Sequence, residues 1–203
     1  MSRWLITRSA DDATELATAL AERGHEAVAA PLLTIDYSAT GPITLDGVQA
    51  LLFTSSNGVR AFARSERRRD LPALAIGRAT AAAARAAGFA AVGCADGDAP
   101  ALARLAIERL DPAAGALFHP AGKDVAGDLK DTLEAAGFAV RRTVLYRATA
   151  AATLPPAAAA ALRQGGLAGT LFFSPRTADV FARLVAAAGL VERLRGLIAL
   201  CLS

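Results

Sequence analysis

The chain has 203 residues, 54% of them hydrophobic and 5% aromatic, with a formal net charge of +3. That length suits one large domain or two small ones, with ample apolar material for buried cores. So few aromatics and so mild a charge argue against a nucleic-acid partner, and no apolar run reaches membrane-spanning length, because Arg85 and its charged neighbours interrupt the Ala-rich middle.

In chain order, Trp4-Leu5-Ile6-Thr7 reads as a short buried strand and Arg8-Ser9 as the turn after it. Ser9 to Arg23 is a predicted helix, with Asp11 and Asp12 in its first turn and Gly24 as its stop. Ala27 to Leu33 is a second strand ending in Pro31-Leu32-Leu33, and Thr34 to Gly41 is polar enough for a connection. Ala50 to Phe53 is a strand. Thr54-Ser55-Ser56-Asn57-Gly58 turns it into a helix carrying Val59, Phe62 and Ala63, with Ser55 and Ser56 as candidate caps.

The run Arg67-Arg68-Arg69, broken by Glu66 and Asp70, reads as a solvated loop. Ala73 to Ile76 is a strand entering the turn Gly77-Arg78-Ala79-Thr80, and a helix follows to Gly88. Ala90 to Val92 is a short strand, and Asp98 or Ala99 to Leu110 is a helix with Pro100 in its first turn. Ala116 to Phe118 is a strand running into His119-Pro120-Ala121-Gly122-Lys123-Asp124, where His119 reads as a turn residue. A helix from Asp124 to Ala136 stops at Gly137, and Val140 to Tyr146 is the next strand. Leu154-Pro155-Pro156 opens an Ala-rich helix ended by Gly165-Gly166. A strand over Gly169 to Phe173, a helix after Ser174-Pro175-Arg176-Thr177 and a strand over Leu197 to Cys201 complete the chain. Alternating strand and helix argues for parallel sheets with helices on both faces.

Two repeats organise these elements. Ala50 to Arg64 recurs as Gly169 to Arg183, with Leu52, Phe53, Ser55, Phe62, Ala63 and Arg64 each meeting an identical residue. More weakly, 116–146 mirrors 4–33. The expected architecture is therefore two similar flavodoxin-like domains, one inserted into the other. The first domain is 1–34 with 150–203, the inserted one is 38–145, and two-segment linkers lie near 34–40 and 146–150. The repeat also predicts a gap. The inserted domain has a helix, strand and helix after Ile76-Gly77 that the other domain lacks after Leu197 to Cys201. Either this copy is degenerate or the native chain runs on for roughly 35 residues past Ser203.

Cys94 and Cys201 lie in apolar segments without CxxC spacing and read as small buried thiols of a reducing compartment. His25 and His119 fit no metal-ligand spacing, so no metal is expected. The start of the chain lacks a secretory pattern, and the reading is a soluble cytoplasmic monomer. There is no GxGxxG, Walker lysine motif or GxSxG elbow. Asp128, Asp131 and Glu134 fit a solvated helix face.

Ligands of open parallel sheets bind beyond the carboxyl ends of the strands. The turns at those ends are Thr7-Arg8-Ser9, Thr54 to Gly58, Gly77 to Thr80, Pro120 to Lys123 and Ser174 to Thr177. They offer helix N-termini, hydroxyls and a few cations, a set suited to a small molecule with several carboxylates or phosphates. Any one turn is explained by capping alone; five facing one cleft favour a ligand.

These segments in this order resemble the uroporphyrinogen-III synthase family. The likeness is carried by Leu5-Ile6-Thr7-Arg8, Pro31-Leu32-Leu33, Leu52 to Arg60, Ala75 to Thr80, Val144-Leu145-Tyr146-Arg147 and Phe172 to Thr177. The resemblance implies a cofactor-free lyase that cyclises linear hydroxymethylbilane, losing water and inverting the last pyrrole ring. It implies Tyr146 as the leading candidate for the proton donor. Ser55, Thr80 and Ser174 match the family's cleft hydroxyls, and Arg8, Ser56, Asn57, Gly58, Gly122, Lys123, Pro175, Arg176 and Thr177 complete the expected substrate contacts. Asn57 and Gly58 depart from the Pro-Arg of some members. A non-catalytic anion-binding protein on the same layout and a degenerate regulatory copy are the rival readings.

Overall fold

The computed structural model describes residues 1–38, 41–124 and 128–201. Ten strands and seven α-helices are found among them, and the strand pairings are parallel wherever a register is defined. The chain divides into two compact units, Met1–Ile35 with Thr149–Ser203 and Asp36–Ala148.

In the first unit, β1 (Arg3–Ile6) is followed by α1 (Ala10–Ala21) and β2 (Glu26–Ala29). Gly24, at φ +75°, ends the helix in the left-handed conformation that glycine tolerates best. The later segment supplies α6 (Pro156–Gln164), β9 (Leu167–Phe172), α7 (Pro175–Ala187) and β10 (Ile198–Cys201). Their sheet runs β10-β9-β1-β2. Leu5, Leu32, Leu162, Phe181, Leu184 and Val185 build its core. At the sheet edge, β10 leaves Ile198 and Leu200 exposed.

The second unit contains β4 (Val48–Phe53), α2 (Ser56–Ser65), β5 (Ala73–Ile76), α3 (Gly77–Ala86), β6 (Val92–Ala95) and α4 (Ala99–Arg109). It continues with β7 (Ala116–Gly122), α5 (Leu129–Ala135) and β8 (Val140–Ala150). With β3 (Leu33–Asp36), the sheet order is β3-β8-β7-β4-β5-β6. Both faces of β4 are buried, as a central parallel strand requires. Leu51 and Phe53 pack with Val59 and Phe62 of α2 and with Phe89 and Phe118. Ala50 and Leu52 point the other way, onto Leu102, Leu105 and Leu133 of α4 and α5. Phe62 is fully buried, and its ring meets Phe53 edge-on at 6.0 Å; such a side chain contributes about 2–3 kcal/mol of transfer free energy.

The two sheets repeat one strand order. The weaker repeat equates β1-α1-β2 with β7-α5-β8, and the stronger one equates β9-α7-β10 with β4-α2-β5. The two orders are β2-β1-β9-β10 and β8-β7-β4-β5, the same under that correspondence. Gly137, at φ +89°, closes α5 as Gly24 closes α1.

Several local expectations are corrected. The strand expected over Ala27–Leu33 is two strands, β2 and β3, because Pro31 interrupts the ladder and the chain resumes extended at Leu33. Both expected connections are partly strand: β3 covers Thr34 to Asp36, and β8 runs through Tyr146 to Ala150. Gly77 to Thr80 is no turn; α3 starts at Gly77, whose φ of +71° makes the sharp entry from β5 possible. The short strand lies at Val92–Ala95 rather than 90–92. Helix α5 begins at Leu129, and 125–127 of its expected start lie outside the described residues, as do 39–40 and 202–203. Cys94 is only half-buried and Cys201 is exposed. Among the described residues, no helix is long and apolar enough to cross a membrane.

Candidate functional site

The carboxyl ends of β4 and β7 and the interior of β8 bring one cluster together in the second unit. Strand β4 ends at Phe53, and Ser55, extended at φ −159°, turns the chain into α2. Its side chain is the cap: the Gly58 N–H donates to Ser55 Oγ at 3.1 Å. That same Oγ lies 2.8 Å from the Tyr146 hydroxyl on β8. Gly58 itself is required by packing, since a Cβ there would stand 2.9 Å from the Pro120 carbonyl of β7.

Tyr146 is half-buried and sits in register opposite Gly122. A Cβ at Gly122 would lie 2.9 Å from two ring atoms of Tyr146 and 3.1 Å from its hydroxyl. The glycine therefore makes the space that the phenol occupies. The Lys123 N–H donates to the Tyr146 carbonyl at 2.9 Å, while the Lys123 side chain is exposed. Arg142 fixes the same corner by donating to the Gly122 carbonyl at 2.8 Å. Burial raises the pKa of the Tyr146 phenol above its usual value, and the Ser55 hydrogen bond works in the opposite direction. The phenol keeps its proton at neutral pH.

Next to this pair, Tyr37 donates from its hydroxyl to Asn57 Oδ1 at 3.3 Å, and Arg60 donates to the same oxygen at 3.1 Å. The Arg64 guanidinium lies 4.1 Å from the Tyr37 ring centroid. Ser56 and Asn57 form the first turn of α2, both half-buried. Thr80 lies within α3 and is only 6% exposed.

His119 is corrected from turn residue to strand interior. It is 1% exposed in the middle of β7, with its Nε2 at 3.3 Å from Thr54 Oγ1. Burial, with the Arg142 charge adding to it, lowers its pKa to about 4, so the ring is neutral. Pro120 is tolerated after it because pairing with β4 has ended at Phe118.

The first unit assembles its own expected residues. Arg8 bridges to Asp12 at 2.9 Å and lies 4.6 Å from the Phe173 ring centroid. Ser174 caps α7 by accepting from the Thr177 N–H at 3.2 Å, and the two hydroxyls are 2.7 Å apart. Pro175 and Arg176 are exposed in the first turn, and Thr177 is buried. Ser174 thus repeats the Ser55 cap, and both tyrosines of the chain belong to the other unit. Counted from the glycine that closes each helix, the position matching Tyr146 after Gly137 is Leu33 after Gly24.

The roles of Tyr37, Arg60, Arg64 and Arg142 escape a sequence reading, while Thr54 lies in a turn expected to face ligand. The signal that could have drawn attention to Tyr37 is the alternation Leu33, Ile35, Tyr37, which continues a strand pattern into the crossing.

A family model described as uroporphyrinogen-III synthase HemD matches residues 14–203. Comparison with curated proteins gave no match. Among solved structures, a mutant uroporphyrinogen III synthase from Thermus thermophilus aligns at a TM-score of 0.58 with 21% identity, covering 100% of this chain and 85% of that chain. A uroporphyrinogen-III synthetase from Helicobacter pylori aligns at 0.60 with 13% identity, covering 99% of this chain and 92% of that one. At such identities the two structures speak to the fold: a mixed α/β architecture of parallel sheets and helices.

Proposed function

The chain belongs to the uroporphyrinogen-III synthase family, and from that premise we propose that it closes hydroxymethylbilane to uroporphyrinogen III, losing water and inverting the last pyrrole ring, with Tyr146 as the acid. The reading extends to the architecture: two similar flavodoxin-like domains, one inserted into the other, supported by the shared strand order of the two sheets. The protein acts as a cytoplasmic monomer on a small linear tetrapyrrole.

The observation that carries the chemistry is the phenol of Tyr146 at 2.8 Å from Ser55 Oγ. Unassisted closure proceeds without inversion, so the protein must hold the reacting ends in one geometry and help the hydroxyl depart. Ser55 Oγ accepts from the Gly58 N–H, and of the two hydroxyls that share the 2.8 Å bond, either of which can donate, Ser55 is the proposed donor to the Tyr146 oxygen. That leaves the phenolic proton for the departing hydroxyl. As the substrate's C–O bond breaks, its electron pair takes this proton and leaves as water. The resulting phenolate is stabilised by the Ser55 hydrogen bond and by its place at the N-terminus of α2. The carbon freed of its hydroxyl bonds to the substituted α-carbon of the last ring, giving the spiro intermediate. The bond from that α-carbon to its original methylene then breaks, and the freed methylene bonds to the ring's other α-carbon, which completes the inversion. That carbon loses its proton, and the Tyr146 phenolate takes it up. Arg8, Ser56, Asn57, Gly58, Thr80, Gly122, Lys123, Ser174, Pro175, Arg176 and Thr177 are the proposed substrate contacts. Helix N-termini and the cations Arg8, Lys123 and Arg176 suit the substrate's carboxylates.

The test is conversion of enzymatically generated hydroxymethylbilane by the purified chain, with the isomers of the oxidised product separated. The type III isomer must exceed the type I background. A product mixture identical to that of the protein-free control overturns the assignment and favours a non-catalytic binding role.

A further inference from the structure

We propose that Tyr37 is a positioning residue for Tyr146, held for that task by one face of helix α2. The proposal rests on the reading of Tyr146 as the acid, and it adds Tyr37, the residue that follows β3.

Among the described neighbours of the Tyr146 side chain are Ser55 at its hydroxyl, Gly122 against its ring, and the Tyr37 ring at a centroid distance of 6.4 Å and an angle of 46°. That separation and tilt fall in the range of attractive aromatic pairs. Tyr37 cannot drift, because α2 grips it twice. Its hydroxyl donates to Asn57 Oδ1, and the Arg64 guanidinium covers its ring at 4.1 Å. Arg60 donates to the same Asn57 oxygen and fixes its direction. Positions 57, 60 and 64 share a helix face. The cap of that helix is Ser55. One rigid element therefore sets both the hydrogen-bond partner of Tyr146 and the ring beside it. The consequence is geometric: without the Tyr37 ring, the phenol can swing while Ser55 stays in place.

This role depends on the ring more than on the Tyr37 hydroxyl, which separates Tyr37→Phe from Tyr37→Leu. The chain has two tyrosines, so in either variant grown with ring-labelled 13C-tyrosine the one remaining signal is Tyr146. The Tyr146 resonance and its titration midpoint should stay at wild-type values in Tyr37→Phe. In Tyr37→Leu the resonance should move and the midpoint fall toward the ordinary value of about 10. Turnover should fall about 10- to 100-fold in Tyr37→Leu at little-changed KM, since misplacing a reacting group by about 1 Å costs that much. Tyr37→Phe should remain within about threefold of wild type.

Arg64→Leu provides a second arm that leaves both tyrosines in place. It removes the exposed cation over Tyr37 and should move the Tyr146 resonance in the same direction. Folded variants Tyr37→Leu and Arg64→Leu with an unmoved Tyr146 resonance would overturn the proposal. If the resonance moves while Tyr146→Phe turns over like wild type, the positioning role stands and the acid assignment fails.

Discussion

The phenolic oxygen of Tyr146 lies 2.8 Å from Oγ of Ser55, the residue whose side chain also caps α2. A single serine oxygen thus ends a strand-to-helix turn and orients the proposed acid. Stability and activity are tied at this point, and substitutions there should separate them in a definite order.

Ser55→Ala removes both roles. Loss of the cap should lower unfolding free energy by about 1 kcal/mol, and turnover should fall about 10-fold as the phenol loses its partner. Ser55→Thr keeps an oxygen at the cap and should recover most of the stability. Urea titration beside steady-state kinetics measures both. An alanine variant as active as wild type contradicts the coupling.

Gly122→Ala places a methyl group where the Tyr146 ring now lies, with contacts of 2.9 Å. Backbone strain is not the issue, since Gly122 is not among the residues at positive φ. The ring must move. Turnover should drop about 10- to 100-fold, with a stability cost of about 1–3 kcal/mol for overpacking. Unchanged kinetics in this variant would mean that the ring can shift without consequence.

His119 gives stability an acid limb. Its folded pKa of about 4 lies below the ordinary value of 6.5, because burial disfavours the charged ring. The unfolded chain therefore takes up the proton first. The stabilisation is complete above pH 6.5 and is lost as pH falls toward 4. Between pH 7 and pH 5 this one group should remove about 2 kcal/mol. Denaturation of wild type and His119→Gln at both pH values isolates it: the variant should lose that much less. Parallel losses in the two proteins would contradict the assignment.

Arg69 is the member of the basic run that does more than face solvent. It donates to the carbonyls of Ala87, Glu66 and Arg68 at 2.7–2.8 Å, and its guanidinium sits 5.0 Å from the Phe89 ring centroid. It ties the loop after α2 to the end of α3. Arg69→Ala should cost about 2 kcal/mol of stability. Arg69→Lys should recover less than half, because an ammonium cannot reproduce the planar fork. Thermal unfolding reads the stability loss, and kinetics should be unaffected.

What could be read from the sequence was local. The candidate cap Ser55 and the stops at Gly24 and Gly137 each act within a few residues of themselves. The repeats implied that two sheets match, and the strand order they share appears only in the structure. Where the reading failed, tertiary context decided. His119 is followed by a proline and looked like a turn, yet pairing with β4 stops at Phe118, so the proline's missing N–H costs no bond on that side. Gly77 looked like a turn residue, yet one positive φ is enough to start a helix directly. The Tyr37 bracket joins residues distant in sequence, from a chain crossing to the face of α2, and no local pattern announces it.

The central claim is that Tyr146 donates the proton that lets the hydroxyl leave. Its most direct test is single-turnover kinetics of Tyr146→Phe on hydroxymethylbilane. The variant should fold, retain wild-type substrate affinity, and form uroporphyrinogen III about 10²- to 10⁴-fold more slowly. A rate within about threefold of wild type, below what even one lost hydrogen bond to a neutral partner commonly costs, would show that positioning alone carries the reaction and that the phenol is not its acid.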